Sequence, residues 1–210
     1  MPTLLIVNSS PRSNSVSSAL TRQFAQDWKA KHPDGRVVER NLSHSFLPNL
    51  NEAWIGAAYT PEAKRTEVQR ALLTLSDQLI AEVLAADVIL LGVPMHNFSV
   101  PAVFKAWIDQ IARVGETFSY TEQGVKGLIP AGKKVIAVIA RGGVFADENG
   151  VDDPLAAYLR QILGLLGLTD ISFVHADRQG MGEDVASRSI ASATHLIQTL
   201  VESSAVLQAA

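Results

Sequence analysis

A chain of 210 residues with 47% hydrophobic and 19% charged residues is long enough to bury one substantial core and too apolar to be disordered. Its 18 basic and 21 acidic residues leave a formal charge of −3, with no dense basic run of the kind that tracks nucleic acid. The absence of cysteine excludes disulfides, thiolate metal sites and cysteine nucleophiles, and it fits a cytoplasmic protein.

The opening stretch MPTLLIVNSS has no basic leader, and no apolar run approaches the ~18–20 residues that span a bilayer, so no membrane association is expected. Thr3–Asn8 reads as a strand. The helix that follows places Leu20, Phe24 and Trp28 on one face at four-residue spacing. RVVERNL is a weaker strand, and residues 43–65 read as a long irregular connection; loops of that length either carry function or hold structure of their own. A helix is predicted over about Thr66–Ala86, then a strand over Asp87–Val93 that is apolar on both faces.

Beyond the segment VPMHNFSVP, Val103, Trp107, Ile111 and Val114 are expected on one helical face. The Gly-rich residues 117–132 suggest a hairpin, and Lys134–Ala140 another doubly buried strand. The next helix presents Leu155, Leu159, Ile162 and Leu166, DISFVHA is the last strand, and a final helix covers about Glu183–Ser203. Five strands alternating with helices, several apolar on both faces, predict one α/β domain over residues 1–210: a doubly wound five-stranded parallel sheet with helices on both faces. Such sheets bind ligands outside the carboxyl ends of their strands, which directs attention to the residues after Asn8, Val93 and Ala140.

Three motifs occupy those places. NSSPRSNSVSS lacks the glycines of a dinucleotide fingerprint and the lysine of a Walker loop. It sets serines beside Arg12 at a helix entrance instead, where hydroxyls, free amides and the helix dipole suit a phosphate. The plainer alternative is a Ser-rich turn with one capping serine. VPMHNFSVP offers backbone amides to the edge of a flat ligand, with Met95 and Phe98 against its faces and His96 as a possible proton donor. Alternatively, it is a stiff turn with Asn97 left-handed and Phe98 tucked into the core. ARGGVF has two glycines that let the backbone approach a ligand, or it is a tight turn with Arg141 exposed.

NSSPR followed by serines, PMHNFSVPAVFKAWIDQIARVGETFSYTEQG and ARGG together resemble the FMN-dependent NADH:azoreductases over essentially the whole chain. The resemblance implies a flavodoxin-like sheet of order 2-1-3-4-5, FMN as cofactor, NADH or NADPH as donor, quinones and azo compounds as acceptors, a ping-pong cycle and a homodimer. By position, Ser10, Ser15, Val16 and Ser17 would hold the FMN phosphate, with Ser9 and Arg12 close by. Met95, His96, Asn97 and Phe98 would surround the ring, Ala140, Arg141, Gly142 and Gly143 would meet its pyrimidine end, and Tyr120 would lie near the flavin.

Three residues depart from the family pattern: His96 for Tyr, Ala140 for Ser, and Ile162 where some relatives place an aromatic. Trp54, Tyr59, Trp107 and Ile162 are candidates for an interface or pocket. His96, Asn97 and Tyr120 are the candidates nearest the chemistry, although no side chain is expected to be an indispensable acid or base. Two other classes compete. A flavodoxin-like electron carrier would be shorter and strongly acidic. A hydrolase, as an old acyl-carrier-protein phosphodiesterase name implies, would need a GxSxG elbow, a metal-ligand cluster or paired carboxylates, none of which the sequence displays.

Overall fold

The computed structural model describes residues 1–144 and 153–206. Its central sheet contains β1 (Thr3–Asn8), β2 (Arg36–Asn41), β3 (Val88–Pro94), β6 (Lys134–Ala140) and β7 (Asp170–Ala176), in the order β2-β1-β3-β6-β7. Every adjacent pair is parallel, with Leu5 beside Ile89, Ile89 beside Val135, and Val135 beside Ile171. Counting only these strands, the order is the expected 2-1-3-4-5. The central strands β1, β3 and β6 are apolar and buried on both faces, as helices on each side require.

Helices α1 (Val16–Lys31) and α6 (Glu183–Val206) cover one face. There Leu20, Phe24 and Trp28 pack with Leu4, Ile6, Ile136, Ile197 and Val201. Helices α3 (Glu67–Ala85), α4 (Ala102–Ile111) and α5 (Pro154–Leu166) cover the other, around Leu79, Val83, Phe104, Trp107, Leu159 and Leu163. Thr66 and Gln69 form a reciprocal capping box that starts α3 where its sequence pattern begins.

Three expectations change. The connection at 43–65 holds α2 (Glu52–Tyr59), capped by Asn51, and a short 3-10 turn at Glu62–Lys64. Trp54, Ala57 and Ala58 of α2 pack on Leu73, because an amphipathic turn next to an exposed helix flank buries more than an open loop would. α4 stops at Ile111, so Val114 is outside it, and its buried face is Phe104, Trp107, Ile108 and Ile111. Trp107 is 1% exposed and belongs to the core rather than to an interface. In α5 the buried stripe is Leu155, Leu159, Leu163 and Leu166, and Ile162 is only partly buried. Spacings of three and four satisfy a 3.6-residue period equally, so sequence alone does not choose between Ile162 and Leu163.

The Gly-rich segment forms a separate antiparallel hairpin, β4 (Phe118–Thr121) with β5 (Gly124–Gly127), pairing Tyr120 with Val125.

Candidate active site at the carboxyl edge of the sheet

A cleft of about 460 Å³ opens where β1, β3 and β6 end. Among the residues lining it are Ser10, Arg12, Ser15, Val16, Met95, His96, Ala140, Arg141 and Gly142. The three motifs therefore share one crevice at the switch in strand order, between β1 and β3.

At one end, Ser15 is the N-cap of α1, and its Oγ accepts the Ser18 amide at 3.2 Å. The amides of Val16 and Ser17 precede any carbonyl four residues back, so the helix end has donors to give. The Ser17 hydroxyl is fully buried, 3.1 Å from Ser15 Oγ, and it supports the capping serine rather than lining the cleft. Ser10 Oγ accepts the Arg12 amide at 3.3 Å, and the Arg12 side chain is exposed at the mouth. Ser9 is structural: its amide and its hydroxyl both donate to the Gly92 carbonyl, tying β1 to β3. Gly92 is required there, since a Cβ would run into Asn8 Oδ1. Hydroxyls, amides and one cation at a helix N-terminus make a cradle for a dianion.

The floor and far end come from the other two motifs. His96 and Ser99 exchange backbone hydrogen bonds of 2.9 and 3.0 Å around a tight turn in which Asn97 (φ 50°) and Phe98 (φ 63°) are both left-handed. Positive φ at both central positions is the mark of a type I′ turn. Asparagine accepts that conformation; for Phe98 it costs roughly 1–2 kcal/mol. Pro94 and Pro101 flank the turn, and the Met95 amide donates to the Ala140 carbonyl at 2.9 Å, so the second and third motifs are joined directly. The left-handed Asn97 is as expected, but Phe98 lies on the surface, 67% exposed, rather than in the core.

At the third motif, Gly142 lines the cleft, and among the described residues no atom beyond its chain neighbours lies within 4 Å of where its Cβ would be. The glycine thus keeps open a space that a side chain would fill. Arg141 is buried, not exposed: its guanidinium forms a two-pronged bond to Asp177, at 2.6 and 3.1 Å, and an ion pair with Asp153 at 2.8 Å. Burial would lower its pKa, but the bonds to Asp177 and Asp153 outweigh that and raise it. Phe145, the last residue of the motif as read, lies outside the described residues.

Asn97, Phe98, Gly143 and Tyr120 do not line the cleft. Tyr120 sits on the hairpin, and its interaction with Tyr59 is the main cause that pushes the Tyr59 phenol above its ordinary pKa. Asn14, Pro94, Gln179 and Gly180 line the cleft without having been anticipated. The rule that pointed to the ends of β1, β3 and β6 applies equally to β7, and it would have flagged Gln179 and Gly180 just after Ala176.

The fold and the cleft define the class: a doubly wound, flavodoxin-like protein with a serine-lined cleft at the carboxyl edge of its sheet. A family model described as flavodoxin-like fold matches residues 2–200. The chain is 43% identical to FMN-dependent NADH:quinone oxidoreductase 2 of Trichormus variabilis, covering 96% of this chain and 99% of that one. It is 46% identical to FMN-dependent NADH:quinone oxidoreductase 1 of Jannaschia sp., over 89% of this chain and 93% of the other. Among solved structures, an azoreductase from Bacillus anthracis superposes with a TM-score of 0.86 at 28% identity, over 96% and 99% of the two chains. The chain belongs to this flavodoxin-like family, and within it to the FMN-dependent NADH:quinone oxidoreductases.

Proposed function

We propose that the protein is an FMN-dependent NADH:quinone oxidoreductase that also reduces aromatic azo compounds. The observation that carries this reading is the convergence of the serine cradle, the Met95–His96 segment and the open Gly142 turn on one cleft. The residues fit FMN: Ser10, Ser15, Arg12 and the first amides of α1 would hold its phosphate, and Pro94, Met95 and Gly142 leave room for its ring. The chemistry that FMN supplies when bound is a two-electron relay between NADH and the acceptor.

The chain's own contribution is placement. The type I′ turn and the Ala140–Met95 bond fix the edge of the cleft through the chain's own hydrogen bonds, and a fixed edge lowers the entropy lost on binding. Donor and acceptor would use the same mouth in turn, which makes the cycle ping-pong. His96 stands exposed at that mouth and is not needed as an acid, because an acceptor there can take its protons from solvent.

A homodimer is part of the proposal. Ile55 and Tyr59 share a face of α2, Tyr59 interacts with Tyr120, and Tyr120 stands opposite Val125, so an exposed apolar strip crosses from α2 to the hairpin. A continuous strip of this kind is what a second copy would cover. No helix among the described residues is long and apolar enough to cross a membrane, and a cytoplasmic site of action suits an NADH-using enzyme.

Purified protein should be yellow, release FMN on denaturation, and oxidise NADH steadily with a quinone in the absence of any added reductase. A colourless protein that cannot be reconstituted with FMN would overturn the reading. Reduction of FMN without turnover of a quinone would instead make it an electron carrier. Sedimentation at micromolar concentration should give a dimer.

A further inference from the structure

The cleft's third motif is held from behind by a charged cluster that the cofactor reading leaves without a role. The Arg141 side chain is 0% exposed and meets three partners from two elements. Asp177, just past the end of β7, takes Nε and Nη2, and His175 Nδ1 lies 3.2 Å from Nη2. Asp153 Oδ2 faces Nη1 at 2.8 Å, while Oδ1 of the same carboxylate accepts the Leu155 and Ala156 amides as the N-cap of α5.

The backbone repeats the attachment. The Arg141 amide donates to the Ala176 carbonyl, and the carbonyls of Arg141, Gly142 and Gly143 accept the amides of Gln179, Gly180 and Arg178. That pattern needs a left-handed Arg178 (φ 62°), a costly conformation for a side chain of that size. With all three carbonyls turned towards the 178–180 loop, the turn has one orientation relative to the cleft.

We propose that Arg141 is a positioning residue: its guanidinium locks the Gly142–Gly143 turn to the start of α5 through Asp153 and to the end of β7 through Asp177. It therefore shapes the ring end of the cleft, although its own charge is committed to the two carboxylates. The inference rests on the FMN reading for the identity of the ligand, but not for the clamp itself. A lysine cannot replace it, since the arrangement uses the planar fork of a guanidinium to reach two carboxylates at once.

The test compares Arg141→Met, Arg141→Lys and Asp153→Asn with the wild type, well below their melting temperatures. Asparagine is as good a helix cap as aspartate, so Asp153→Asn keeps α5 and removes only the charge contact. Flavin fluorescence titration should show FMN and riboflavin both bound about tenfold or more weakly by Arg141→Met, because loosening a positioned turn by ~1 Å can cost up to ~100-fold. Arg141→Lys should not restore the affinity, and Asp153→Asn should weaken both ligands by a smaller factor.

The ratio of FMN to riboflavin affinity should stay at its wild-type value, since the phosphate cradle is untouched. Hydrogen exchange on the flavin-free proteins should be faster at the amides of residues 178–180 in all three variants, a readout that needs no cofactor. Unchanged exchange there, or unchanged flavin affinity in folded Arg141→Met, overturns the proposal. A wild type that shows the protected amides but binds no flavin would refute the FMN reading alone.

Discussion

The two ends of the cleft are built on different plans. The serine end is one continuous stretch, residues 9–18, whose chemistry is that of a capped helix N-terminus. The far end is assembled from three segments, 94–96, 140–142 and 179–180, joined by backbone bonds and backed by a buried guanidinium. The first needs only its own sequence to be correct; the second needs the sheet to bring distant residues into register. A local cradle is therefore expected to lose function by increments when altered, and the assembled end to lose it abruptly.

The sharpest way to break that contrast is Gly142→Leu. Its Cβ would meet no atom of the described residues beyond the chain neighbours, so folding should be little affected, while FMN affinity should fall by about 100-fold or more, equivalent to ~2.7 kcal/mol. Flavin titration beside a melting curve measures both. An unaltered affinity would mean that the open space at Gly142 is not where the ligand lies.

Ser15→Ala tests the other end. Removing the cap should cost about 1 kcal/mol of stability, and the loss of a cradle hydroxyl should weaken FMN several-fold while sparing riboflavin. Equal losses for the two ligands would refute a phosphate role for the serine end.

His96→Ala should lower quinone turnover by no more than about threefold, as expected for a side chain at the mouth that makes no indispensable proton transfer. A loss of several orders of magnitude with FMN still bound would make His96 an acid after all. The smallest effect belongs to Tyr59→Phe, outside the cleft, where removing an exposed hydroxyl should change stability by less than about 0.5 kcal/mol. A melting curve beside the wild type checks this.

Much of this was legible from residue order alone. Doubly apolar strands at 3–8, 88–94 and 134–140 require a covered parallel sheet, and the serines after Asn8 require a helix N-terminus. The resemblance to the azoreductases supplied the cofactor and the acceptor class, which periodicity could not. What escaped were choices with near-equal local alternatives. Ile162 and Leu163 fit the same helical period, and Val114 continued a pattern that the chain ends three residues earlier. Phe98 was read against a ligand's face, or in the plainer alternative as core, and the His96–Ser99 bridge leaves it 67% exposed.

The sequence by itself determined the alternation of strands and helices, the parallel sheet and the helix N-terminus that follows the first loop, because these follow from short-range periodicity and helix-end chemistry. Only the tertiary structure decided the environment of Arg141, taking it from a loop charge to a buried fork between Asp153 and Asp177. It likewise placed Gln179 and Gly180 beside Ala140, Arg141 and Gly142, far away along the chain. The physical reason is that burial and pairing of a charge depend on which strand ends become neighbours, and that information resides in the assembled sheet.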